Sequence, residues 1–177
     1  MSVFYKGPCV KERVSVGLVN PKNAGNVASV LRAVGCFNAS SVFYTGQRYN
    51  HAKDFHADTK AMHKIIPTVS VENLRHVRPQ GARVVVVELV ENAIPLPDYT
   101  HCENSFYIFG PEDGSVPADV LSWADDVIYI PTKGCLNLAA TVNVVLYDRL
   151  SKGEFERGNA LIKGSRDTNN RAKVTGK

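Results

Sequence analysis

The chain has 177 residues, 44% hydrophobic and 21% charged, a balance that fits about one globular domain and excludes a disordered chain or a coiled coil. The net charge is +4, and all of that excess falls in residues 151–177, which hold seven basic and three acidic side chains. No run approaches the ~20 apolar residues of a membrane helix, and Met1 to Lys11 lacks a signal-peptide core, so a cytoplasmic protein without membrane contact is expected.

In chain order, the pattern alternates strand and helix. Val14–Val19 is short, β-branched and apolar, a buried strand. Asn20-Pro21 ends it, and Asn23 or Asn26 is positioned to cap a helix running to about Val34, with Gly35 as its stop. Ser41–Tyr44 is a second strand. From Gly46 to about Lys60 the chain is polar and rich in His and Lys, which predicts a loop with some helix. Ser70 before Glu72-Asn73-Leu74 predicts a short capped helix ending at Val77.

Arg83–Leu89 contains four consecutive valines, Val84 to Val87, the signature of a parallel strand covered on both faces. Ser105–Phe109 and Asp126–Ile130 are further strands, with a short helix from Pro117 to Trp123 between them. Leu136–Leu150 is a helix apolar on nearly every side, so one face is expected in the core and another against a partner subunit. This alternation predicts an α/β domain over residues 1–150, a mainly parallel sheet with helices on both faces. Residues 151–177 are expected to form a basic, frayed tail.

Cys9, Cys36, Cys102 and Cys135 include no CxxC pair, so reduced thiols are expected. His51, His56, His63, His76 and His101 never stand at zinc-type spacing beside a cysteine pair, and no metal is expected.

Chemistry is expected in three loops, each following a predicted strand, where open α/β sheets bind ligands. These are Asn20-Pro21-Lys22-Asn23-Ala24-Gly25-Asn26, then Phe109-Gly110-Pro111-Glu112-Asp113-Gly114, then Ile130-Pro131-Thr132-Lys133-Gly134-Cys135-Leu136-Asn137. Each also has a plain structural reading. The first is a tight strand–helix turn, Glu112 a capping or intersubunit hydrogen-bond acceptor, and Asn137 a helix N-cap. None is a G-x-G-x-x-G fingerprint or a P-loop, which argues against a dinucleotide enzyme or an NTPase.

Together, in order and spacing, the three loops resemble the SpoU/TrmH family of SPOUT RNA methyltransferases. The first is similar to the family's Asn-x-Gly-Asn motif (Asn23, Gly25, Asn26, with Gly35 closing the helix). The second is similar to its Phe-Gly-x-Glu segment (Phe109, Gly110, Glu112, with Pro117), and the third to its Ile-Pro…Leu-Asn helix start (Ile130, Pro131, Leu136, Asn137), continuing to Tyr147-Asp148. The resemblance spans about residues 14 to 150.

It implies a C-terminal deep trefoil knot, a homodimer, and S-adenosylmethionine bound bent within the knot. By the family pattern, cofactor contacts fall at Val87 or Leu89, Gly110, Ile130 and Leu136, with Cys135 beside them. The catalytic set expected is Asn23, Glu112 and Asn137, with Arg32, off the family's arginine position, reaching back toward the cleft. The implied activity is 2′-O-ribose methylation of tRNA or rRNA, with Lys22, Arg32, Arg48, Lys53 and the tail steering the RNA. One departure stands out: Ser29 occupies the position of the family's arginine, and Arg32 lies one helical turn further on, about 4.5 Å along the axis. That departure motivates an alternative, a knotted RNA-binding protein with lost or altered catalysis. A third reading is methylation of a base or of a non-RNA acceptor.

Overall fold

The computed structural model describes residues 13–52 and 65–170, together with Ala172 and Val174. Seven strands form one sheet: β1 (Val14–Leu18), β2 (Ser41–Tyr44), β3 (Thr68–Ser70), β4 (Arg83–Val87), β5 (Ile94–Pro95), β6 (Ser105–Phe109) and β7 (Asp126–Tyr129). Their order is β3-β2-β1-β6-β4-β7-β5, and every neighbouring pair is parallel. The helices are α1 (Ala24–Cys36), α2 (Arg48–Ala52), α3 (Ala118–Leu121), α4 (Leu138–Lys152) and α5 (Asn159–Ser165), with 3-10 turns at Leu74–Val77 and Leu96–Asp98. Among the described residues, no helix is long and apolar enough to cross a membrane.

The valine run behaves as its pattern dictates. Side chains alternate across a strand, so Val85 and Val87 enter one core with Val16, Tyr107, Phe109 and the buried faces of α1 and α4. Val84 and Val86 enter the opposite core with Phe106, Ile108, Leu74 and Val120. All four are buried. Each such burial contributes about 1.5–3 kcal/mol relative to exposure, so the central strands anchor the sheet.

Two strands escaped the sequence reading. β3 has only three residues, and Ser70 closes it rather than capping a helix. The cap of the 3-10 turn is Asn73, whose Oδ1 accepts from Arg75 N–H at 2.8 Å. β5 has only two residues, one of them Pro95, which an edge strand tolerates because its missing N–H is not needed there. The helix stop at Gly35 is also corrected. α1 continues to Cys36, and the left-handed residue after it is Asn38 (φ 55°), with Ala39 N–H closing on Val34 O at 2.9 Å.

β4 and β5 are consecutive in sequence, yet β7 lies between them. The link 88–93 therefore spans the carboxyl end of β7, and the chain leaving β7 passes it on the way to α4. α4 then packs beside α1. Its inner face (Leu138, Ala139, Val142, Val145, Leu146) is buried, while Val144 (37%), Tyr147 (62%) and Leu150 (38%) stay exposed on the outer one. α5 falls within the expected tail, and its Leu161 and Ile162 are exposed. Lys53, Cys9, His56 and His63 lie outside the described residues, as does residues 53–60 of the expected loop.

The amino-terminal ends of the strands are tied shut by polar contacts. Arg83 pairs with Asp126 through two bonds, Nε–Oδ2 at 2.5 Å and Nη2–Oδ1 at 2.9 Å, and Tyr99 O–H donates to Asp126 Oδ2 at 2.9 Å. His101 is buried, its side chain 5% exposed, with Nδ1 2.6 Å from Tyr107 Oη and Nε2 2.9 Å from Asp148 Oδ2. Lys152 adds a 2.7 Å pair with Asp148, and Arg149 donates to the carbonyls of Cys102 and Glu103. The end of α4 is thereby locked to the segment entering β6.

Burial lowers the His101 pKa, with Arg149 and Lys152 adding to that effect, and together they outweigh the pull of Asp148 in the other direction. Folding thus favours the neutral ring. Its contribution is complete above the ordinary histidine value of about 6.5 and declines as pH falls through the lower folded value. Replacing His101 with Ala is expected to cost about 2–4 kcal/mol by leaving its partners unsatisfied. The same variant should flatten the loss of stability between about pH 7 and 5, both read from urea midpoints.

Candidate active site

The opposite, carboxyl ends of the strands are open, and the loops after β4, β6 and β7 converge there on a cavity of about 410 Å³. α1 begins beside it because Asn23 takes an extended conformation and its Oδ1 accepts from Asn26 N–H at 3.1 Å. α4 begins beside it in the same way. Asn137 Oδ1 accepts from Ala140 N–H at 2.7 Å, which moves the helix start from Leu136 to Leu138.

Glu112 joins the first two loops. Its Oε2 accepts from Lys22 N–H at 2.8 Å, and its Oε1 from Asn23 N–H at 3.1 Å and Asn26 Nδ2 at 3.2 Å. Burial alone would raise this carboxyl, but the amides of Lys22, Asn23 and Glu112 itself, with the Asn26 side chain, hold it below the usual carboxylate range. The neighbouring Asp113 grips Arg48 through both guanidinium nitrogens at 2.9–3.0 Å and stands 3.5 Å from Lys22 Nζ. Hydrogen bonding to Arg48 is the main reason the Asp113 pKa is lowered.

Gly110, in the cavity lining, leaves little room for a side chain. A Cβ there would lie 3.1 Å from Val116 Cγ2 and 3.3 Å from Glu88 Oε2. Gly46 (φ 78°), in the turn after β2, meets a similar demand, since a Cβ would fall 2.1 Å from Asn20 Oδ1.

All six residues expected at a cofactor, Val87, Leu89, Gly110, Ile130, Cys135 and Leu136, line the cavity. Of the four expected in catalysis, Glu112 and Asn137 line it. Asn23 caps α1 outside the lining, and Arg32 is exposed on α1, also outside it; Ser29 is likewise exposed. The sequence reading missed Glu88 and Thr141 as lining groups, whereas Thr132 lies in the third expected loop. For Glu88 a signal existed, a carboxylate placed directly after four buried valines. Among the described residues, no three His, Cys, Asp or Glu side chains converge as a metal group would require.

The fold is shared with solved structures of RNA-modifying enzymes. The A. aeolicus TrmH/SpoU tRNA modifying enzyme superposes with a TM-score of 0.70 at 21% identity, over 80% of this chain and 75% of that one. A structure concerning the 2-OH methylation of C/U34 on tRNA gives 0.69 at 19%, over 80% and 97%. The SpoU methyltransferase AviRb from Streptomyces viridochromogenes, in complex with AdoMet, gives 0.67 at 19%, over 82% and 59%. Among curated proteins, none matches by sequence. The model of the SpoU rRNA Methylase family matches residues 13–147, and the chain belongs to that family.

Because Glu112 satisfies two backbone amides and one side-chain amide, Glu112→Ala is expected to lower stability by about 1–3 kcal/mol, and Glu112→Gln by less. With a lowered folded pKa, the carboxylate's contribution is full above the ordinary value of about 4.3 and fades as pH falls through the folded one. Urea unfolding across the acid range should show that limb in the parent and a flatter one in Glu112→Ala.

Proposed function

We propose that the chain is an S-adenosylmethionine-dependent RNA methyltransferase that acts on the 2′-hydroxyl of a ribose in tRNA or rRNA, as a cytoplasmic homodimer. The observation that carries this reading is the cavity itself. It lies within the size range of small-ligand sites, is walled by Ile130, Leu136 and Leu89, and offers loop backbone at Gly110 where a side chain would intrude. Those features suit an adenosyl group, which needs apolar faces and a backbone edge. The reading includes a threaded chain, supported by β7 lying between β4 and β5. It also includes one catalytic domain over residues 1–150, with a basic tail behind it.

When bound, the cofactor supplies an electrophilic methyl group on a sulfonium. Ile130, Leu136 and the backbone at Gly110 would hold it as that methyl passes to the ribose oxygen, which leaves the neutral thioether, the hydroxyl proton passing to solvent. The protein's part is placement. Glu112 fixes the first loop to the second, and Asn23 and Asn137 set where α1 and α4 begin, so the reacting groups are held in line. Arg32, exposed on α1 outside the cavity lining, serves by holding phosphate of the bound RNA. Lys22, Arg48 and the basic groups of the tail draw RNA toward the cleft.

The homodimer is supported by the outer face of α4, where Val144, Tyr147 and Leu150 follow one another at helical spacing and are exposed. Tyr147→Glu is expected to yield a monomer by light scattering while the parent remains a dimer. Cytoplasmic location fits the free thiols of Cys36, Cys102 and Cys135.

Calorimetry with S-adenosylmethionine, followed by transfer of labelled methyl to bulk tRNA and rRNA and digestion to nucleosides, tests the function. Binding with label on ribose supports it, and absence of binding overturns it. The exposed Ser29, with no arginine in that position, favours one second reading, an RNA-binding protein without this chemistry. Cofactor and RNA binding without incorporation would select it, and label on a base would select base methylation.

A further inference from the structure

The cavity's charge is one-sided. Among the described residues, its lining includes two carboxylates, Glu88 and Glu112, and no lysine, arginine or histidine. The nearby bases do not correct the imbalance, because Lys22 and Arg48 face Asp113 and neither lines the cavity. Glu112 is fully engaged, accepting from three donors in the first loop.

Glu88 is placed differently. It follows the buried run of β4, and its two oxygens reach in different directions along the wall. Oε1 accepts from Leu89 N–H at 2.9 Å, and Oε2 accepts from Val116 N–H at 2.7 Å, across the backbone of Gly110. A carboxylate offers about four acceptor positions, so two amides leave it capacity for a ligand. Its position is fixed by backbone on both sides, and its charge has no cationic partner among the lining residues.

Resting on the reading above, we propose that Glu88 makes this pocket select by charge, favouring the sulfonium methyl donor over its neutral thioether product. The donor carries one more positive charge than the product, S-adenosylhomocysteine, and the two otherwise differ by a methyl group. In a partly buried cleft, a fixed carboxylate stabilises the cation far more than it would in water. The same residue also holds the loop after β4 to the loop after β6. That second role affects both ligands alike, so their ratio isolates the first.

The test is calorimetry with S-adenosylmethionine and S-adenosylhomocysteine on the full chain, on Glu88→Gln and on Glu88→Asp. Thermal unfolding without ligand reports whether each variant is folded. Glu88→Gln is expected to weaken binding of the donor about tenfold and of the product less than about twofold. Glu88→Asp retains the charge and should keep the parent's preference, even where both affinities fall. In the parent, the preference should shrink as salt is raised. Equal weakening of both ligands by Glu88→Gln, or loss of the preference in Glu88→Asp, overturns the proposal while leaving the methyltransferase reading intact. A parent that binds neither ligand overturns both.

Discussion

Everything about this molecule follows from a sheet that is parallel throughout and buried on both faces. Strands such as β4 and β6 cannot tolerate water on either side, so helices and turns must cover them, and the connections must return to the same end each time. The carboxyl ends of β1, β4, β6 and β7 therefore emerge side by side. Three loops far apart in sequence, those after β4, β6 and β7, become neighbours, and the cavity is the space between them beside the start of α1. The two ends of the sheet then diverge in character. One is filled by Asp126, His101, Asp148 and their partners and serves cohesion; the other is left open and serves chemistry.

The polar residues around the opening illustrate how structural and chemical roles overlap. Asn23 and Asn137 have their side-chain oxygens committed to capping helices, and Glu112 has its carboxylate committed to the amides ahead of α1. Such groups shape a site without needing to react in it. A long helix begins at each asparagine, so any displacement of a cap is passed to the elements that α1 and α4 cover. In a SpoU-family chain with a serine at position 29, this scaffolding is what gives the site its shape.

Most of the fold was legible because its signals were local and strong. The valine run identified β4, an asparagine cap marked the start of α1, an apolar run identified α4, and the three loops announced themselves by composition and spacing. What escaped was decided elsewhere in the molecule. β3 and β5 are too short to carry a period, and each exists because a longer neighbour supplies hydrogen-bond partners. The end of α1 was misplaced because Asn38, rather than Gly35, took the left-handed turn. Glu88 escaped for a related reason. Its place in the wall depends on Val116 and Gly110, residues brought to it only by the meeting of two distant loops.

The placement of β7 has a consequence for how the molecule comes into being. β5 pairs with β7 alone, so Ile94 and Pro95 have no strand to join while the ribosome is still making the middle of the chain. The outer margin of the sheet is completed only when residues from Asp126 onward arrive to pair with both β4 and β5. Synthesis from the amino terminus thus leaves the cavity's last wall until the end, and a chain interrupted before that point would lack Tyr129, Ile130, Leu136 and Asn137 from it.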